Sequence, residues 1–348
     1  TIINPFSNEG VTITDNAGHV TATSTYPNAD LKYNILGNTS DGSLNLTSEK
    51  PIRMIMSQAN ITNPSGAAIS LNGSTVTTMF LSSGTVNTLN DGSASTESAA
   101  LYSKKNLTIA GNGALNINGF VKHGIKVDAT LTIESGIINI PQAASDGINV
   151  KDYTQNGGNI SIIPTSDGID VSNTLALNGG ELYINSSSED VKGLKATTVS
   201  ITGGTHSITV DGVQSKAIKS SGNTIIDGGS TLLIASGSVF LEPSGSGYDP
   251  SYCTGIKSDV DVIINGGNLD ILCLKPNLGG KGISVDGNIT INGGTVNIST
   301  MGDGANYTND AGAKDSYTAA CMKADGNILL LQGDITCTSS GKEERVFP

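Results

Sequence analysis

The stretches SDGINV (145–150) and SDGIDV (166–171) differ at one position and lie 21 residues apart. Aligning the chain on them produces two columns. In the first, a small residue precedes an apolar one, then any residue, then a small or apolar one. It reads ALYS at Ala100, GIKV at Gly124, GINV at Gly147, GIDV at Gly168 and GLKA at Gly193, and it continues with AIKS at Ala217, GIKS at Gly255, GISV at Gly282 and CMKA at Cys321. The second column is a glycine turn, as at Gly157-Gly158, Gly179-Gly180, Gly203-Gly204 and Gly266-Gly267. From Gly124 onward the first column precedes the second by 11 or 12 residues. Short alternating runs lie between and after them, such as LAL at 175–177 and ELYI at 181–184. Each copy therefore predicts three short strands and three turns. One such triplet cannot bury its apolar face alone, whereas stacked triplets can, with Ile125/Val127, Ile148/Val150 and Ile169/Val171 as inward ladders. The reading is an all-β, right-handed parallel β-helix with three strands per coil. An antiparallel sandwich would not hold two columns in constant phase.

Residues 1–65 fall outside this phase and are expected to form an irregular β-rich cap with the first coils, continuous with a β-helix over 66–348. The spacing from glycine turn to the next first column is 10 to 13 residues in early copies, then 26 before Gly255 and 27 before Cys321. Both long insertions, at 237–254 and 301–319, thus precede the first strand of a coil. Insertions gathered at one corner of a repeat protein often mark its binding face. These two carry Tyr248, Tyr252, Tyr307 and Tyr317.

Composition narrows the function. The chain has 348 residues, 44 glycines, no tryptophan, 14% charged residues and a net charge of −12. That balance disfavours nucleic acid and anionic membrane surfaces, which require basic patches. No apolar run approaches the ~20 residues of a membrane-spanning helix. The missing tryptophan weakens any case for crystalline cellulose, where flat aromatic platforms matter. Cys253, Cys273, Cys321 and Cys337 show no Cys-x-x-Cys spacing, and Cys273 and Cys337 read as small buried apolar residues. His206 falls in a strand and reads as structural.

Within the first strand, residues 2 and 4 of each motif point inward, so residue 3 and the corner residue before the glycine are expected to face solvent. Asp146 and Asp167 should then stack ~4.8 Å apart. Two carboxylates at that distance repel by about 0.9 kcal/mol in water and about 3.5 kcal/mol at an effective dielectric of 20. Asn149 and Asp170 stack beside them, and Glu189 and Asp190 arrive on the following coil. A hard cation with oxygen ligands relieves such repulsion, and Ca²⁺ is the natural candidate. Asp-Gly is also a common turn dipeptide, so the same aspartates can simply accept backbone hydrogen bonds. A second candidate loop, Asp303 to Asp315, lacks the order of an EF-hand.

Lysines dominate the same face: Lys126, Lys195, Lys219, Lys257 and Lys323 at residue 3, with Lys151 and Lys192 nearby. Exposed strand positions tolerate lysine. The functional reading pairs these lysines with carboxylates of an acidic polysaccharide, aided by Tyr248, Tyr252 and Tyr307. Lys192, Lys195 or Lys219, with a lowered pKa, could instead abstract the proton α to a uronate. No nucleophile elbow, phosphate loop or HExxH motif is present.

Beyond the repeats, GNTSDGSLNLTSEKPIRMIMSQANITNPSGAAISL (37–71), GTVNTLNDGS (84–93), ALYSKKNLTIAGNGALNING (100–119), KHGIKV (122–127) and the SDGI coils resemble bacterial carbohydrate-binding, pectate-lyase-like β-helix proteins, similar to family-nine polysaccharide lyases. The resemblance implies a secreted, calcium-binding right-handed β-helix that binds plant cell-wall polysaccharides such as polygalacturonate, with little or no lyase activity. It carries calcium ligands best onto Asp146, Asp167 and Asp170. Asn149 and the SEDVKGL stretch (188–194) depart from the pattern. The expectation is a monomeric extracellular or cell-surface binder, with a removed leader and a lipid anchor both left open. An active lyase is the first alternative and a structural adhesin solenoid the second.

Overall fold

The computed structural model describes residues 2–28, 31–95, 98–274 and 279–341. Among the described residues all regular structure is β-strand, with no helix. The chain divides into two compact units: residues 1–165 with 169–172 and 178–181, and residues 166–168 and 173–177 with 182–348. Each unit is a stack of parallel β-coils, as the repeat predicts.

In the first unit, the repeated stretch stacks in the expected register: Ile125 lies on Ile148 and Ile148 on Ile169. These isoleucines are fully buried, and each contributes roughly 1.5–3 kcal/mol by leaving water. The stretch expected as a cap opens on an antiparallel hairpin, Val11–Asn16 with His19–Ser24. It already carries parallel stacking, with His19–Ser24 on Ser43–Ser48 and Leu31–Thr39 on Ile52–Asn63.

In the second unit, one coil consists of Lys216–Ser220, Thr224–Ile226 and Ser230–Ala235, and the next of Cys253–Ser258, Val262–Ile264 and Asn268–Cys273. Strands of the same rank pair, placing Ile218 on Ile256, Ile226 on Ile264 and Leu233 on Ile271. The glycine turns need glycine because their second residue is left-handed, with φ of 94° at Gly204 and 84° at Gly267.

The first-column glycines have a different cause. A Cβ at Gly193, Gly255 or Gly282 would lie 2.3–2.4 Å from Cγ2 of Ile208, Ile271 or Ile298. The branch methyl of a third-strand isoleucine occupies the space that a side chain would need. Where the column holds Ala217, the register puts Leu233 in the place of Ile208, and leucine carries no methyl at Cβ.

The two insertions form antiparallel hairpins: Phe240–Ser244 with Gly247–Ser251, and Ala305–Thr308 with Lys314–Tyr317. A parallel bridge between Tyr248 and Asn309 joins them. One expectation is corrected. Cys337 is only half-buried, unlike Cys253, Cys273 and Cys321, because its strand lies on the last described coil and pairs on one side, with Thr295–Met301. His206 is buried, and its Nε2 lies 2.9 Å from the carbonyl of Gly203, a structural contact.

Candidate carbohydrate and cation site

The outward residues of the first strand form two distinct runs. In the first unit Tyr102, Lys126, Asn149 and Asp170 are successive register partners. In the second unit Lys195, Lys219, Lys257, Ser284 and Lys323 follow one another in the same way.

The corner column does not face solvent as the alternation predicts. His123, Asp146, Asp167 and Lys281 are only 4–5% exposed. The corner residue precedes a glycine that the third strand packs against, so the two-residue period breaks there and the chain turns inward. Buried polar groups need partners, and the corner supplies them. His123 is the exception: its Nδ1 lies 3.3 Å from Asp146 Oδ2 but makes no hydrogen bond among the described residues. Asn149 Nδ2 donates to Asp146 Oδ2 at 3.0 Å and to Asp170 Oδ2 at 3.2 Å, and Lys126 donates to Asn149 Oδ1. Asp167 Oδ1 accepts the Lys192 backbone N–H at 2.9 Å, and its Oδ2 accepts Lys195 Nζ at 3.2 Å. Burial raises the pKa of Asp167, opposed by that N–H and by Lys195. Within the first unit, Asn149 thus joins the carboxylates of Asp146 and Asp170.

The donor chemistry of this group, two carboxylates and an amide with no sulfur, fits a hard cation. Asn149 presents its NH₂ to the aspartates, so its amide must turn to offer oxygen. Glu189 and Asp190 stand outside the group: Glu189 is exposed and Asp190 pairs with Lys192 Nζ at 2.8 Å. The 303–315 loop gathers no ligand set among the described residues. Asn309 Oδ1 accepts from Ala313 N to close the hairpin turn, and Asp315 accepts from Ser316 N and the Tyr307 hydroxyl.

The lysines assigned to a ligand already have partners. Lys219 pairs with Asp259, Lys257 with Asp286 and, at 3.5 Å, with Asp259, and Lys323 with Asp325. Lys126 pairs with Asp128 at 3.7 Å. For Lys126, Lys257 and Lys323 the signal was in the sequence as Lys-x-Asp, which places both side chains on one face. Lys151 is exposed.

Sequence reasoning missed Lys216. Its Nζ donates to Gln214 O at 2.7 Å and Ser251 Oγ at 3.0 Å, with no ion pair among the described residues. Burial lowers its pKa, and nearby Asp190 opposes the shift. Its signal was its place in the corner column beside Lys192, its register partner.

The tyrosines separate by depth. Tyr248 is 44% exposed. Tyr252 packs edge-on against Tyr317 at 6.5 Å and carries Lys281 Nζ 4.6 Å above its ring. Tyr307 lies tilted against Tyr317 at 6.1 Å.

No curated protein matches the chain. A solved structure described as the polysaccharide lyase-like protein from C. thermocellum, gadolinium derivative, is similar at 22% identity, covering 76% of this chain and 88% of that one, with a TM-score of 0.46. The sequence also matches the family described as carbohydrate-binding domain-containing protein over residues 9–304, most of its length, and the chain belongs to that family.

Proposed function

We propose that this chain binds an acidic polysaccharide outside the cell, along the outward face of its first strands, with the help of calcium. The observation that carries the reading is the convergence of Asp146 and Asp170 on one amide, that of Asn149. These residues would hold the ion. Bound calcium supplies positive charge and further coordination positions for uronate oxygens. The surrounding side chains do the rest. Lys126 fixes the orientation of Asn149, which in turn holds Asp146, and Lys195, half-exposed beside Asp167, is placed to meet a ligand carboxylate.

The test is retention of polygalacturonate with calcium and with chelator. Asp170→Asn is expected to weaken calcium-dependent retention by about tenfold or more, roughly 1.4 kcal/mol. Retention that ignores both chelator and substitution would remove the calcium reading.

A second reading, cleavage by β-elimination, is favoured by Lys216. Proton abstraction needs an amine without its proton. Lys195 and Lys219 each hold a carboxylate partner, whereas Lys216 has no ion pair among the described residues and burial lowers its pKa. Unsaturated-uronate absorbance that appears with calcium and disappears in Lys216→Met would establish it. A flat trace at saturating polygalacturonate leaves the binding reading alone.

A further inference from the structure

The hairpin insertions differ in charge from the lysine-bearing face. Residues 240–252 and 303–317 carry Glu242, Asp249, Asp303, Asp310 and Asp315 against one cation, Lys314. They nonetheless carry exposed aromatic surface, with Phe240 and Tyr248 each 44% exposed. The backbone arranges them. Tyr248 is bridged in parallel to Asn309, and alternation puts Tyr307 on the same side as Asn309. Tyr307 is in turn the register partner of Asp315, whose Oδ2 accepts its hydroxyl at 3.3 Å.

The hairpin tips meet without slack. Ser246 N donates to Asp310 O at 2.7 Å, and a Cβ at Gly247 would lie 2.2 Å from Asn309 O. Lys281 Nζ, over the Tyr252 ring, donates to Thr318 O at 2.7 Å and ties the base of the second hairpin down. The aromatic surface is therefore pre-shaped, which lowers the ordering cost of binding.

We propose that these two hairpins form a second saccharide subsite, selective for uncharged sugars, with a sugar face packed on Tyr248 and Tyr307 and sugar hydroxyls donating to the Asp315 carboxylate. Aromatic rings offer flat apolar area, and ionised carboxylates accept strong hydrogen bonds from hydroxyls. The same carboxylates repel a uronate. The negative field is felt locally: burial raises the pKa of Tyr307, and Asp315, Asp249 and Asp310 raise it further. The subsite extends the polysaccharide-binding reading above. It makes the chain a reader of mixed polysaccharides, with acidic residues on one face and uncharged ones at the hairpins.

The experiment titrates the whole chain with two probe sets, uncharged galacto-, xylo- and manno-oligosaccharides and oligogalacturonates, each with calcium and with chelator. At least one uncharged probe is expected to bind independently of calcium. Tyr248→Ala and Tyr307→Ala are each expected to weaken it about tenfold, and Tyr248→Phe and Tyr307→Phe to retain it, because the ring stays. If no uncharged probe binds, or binding survives both alanine variants, the subsite is overturned. Uronate binding lost in Asp170→Asn while uncharged binding persists separates the two sites. Uncharged binding alone sinks the calcium reading and spares this one.

Discussion

Asp167 and Asp259 both lie against lysines of the first-strand face, yet their carboxyls move in opposite directions. Burial raises Asp167, whose side chain is 7% exposed, and Lys195 at 3.2 Å does not undo it. Burial also pushes Asp259 up, but the hydrogen bonds and charges of Lys219 and Lys257 outweigh it and the net shift is downward. Asp259 is 38% exposed. The same residue type is thus a desolvated charge in the corner and a compensated one on the outer ladder. A cation has something to relieve at the first and little to add at the second. This difference, more than the count of acids, separates a candidate ion site from a solvated surface.

The comparison presumes one shared register, and breaking that register has the largest expected effect. Gly193→Ala places a Cβ 2.3 Å from Ile208 Cγ2 and 2.6 Å from Ala217 O. Overpacking of this kind costs about 1–3 kcal/mol. Adding Ile208→Leu removes the methyl in conflict and reproduces the Ala217 and Leu233 pairing. The double variant should therefore lose less stability than the sum of the single ones, as read by denaturant unfolding. Strict additivity would show that the methyl is not what excludes a side chain there.

The opposite pKa shifts give the next test. A carboxyl raised in the folded state contributes stability at low pH and loses it as pH rises through its folded value. A lowered one contributes above its unfolded value, about 3.9, and loses it as pH falls. Without calcium, the melting temperature of Asp167→Asn relative to the parent should become more favourable from about pH 3 to about pH 7. That of Asp259→Asn should become less favourable over the same range. Drift in the same direction would erase the distinction between corner and ladder.

The coils were legible in the sequence because stacking forces the apolar pair, the small residue and the turn glycine to recur in phase, as Ile148 on Ile169 confirms. The aspartates could be picked out for the same reason. Their burial could not. Alternation predicts which way a side chain points only inside a strand, and Asp146 and Asp167 stand at a corner where the third strand closes over the glycine. The fate of the lysines was half-legible. Lys257-Ser258-Asp259 announces a pair on one strand, but the pairing of Lys219 with Asp259 depends on coil spacing that no local pattern records. Lys216 was hidden because its distinction lies in what surrounds it, an inserted hairpin that brings Ser251 to its Nζ.

The smallest effect concerns the ladder itself. Lys257 bridges Asp259 and Asp286 on a partly exposed face, and such pairs contribute about 0.2–1 kcal/mol and are screened by salt. Lys257→Ala should therefore barely move the unfolding midpoint, and less still at high salt. A loss well above that range would mean the ladder is a buried ion network and its lysines are committed to the fold. With the small loss, the same lysines can exchange Asp286 or Asp259 for a uronate at little cost. Lys257→Ala should then weaken oligogalacturonate binding measurably while leaving stability in place. A lysine that is slack in the free protein is the kind that a charged ligand can recruit.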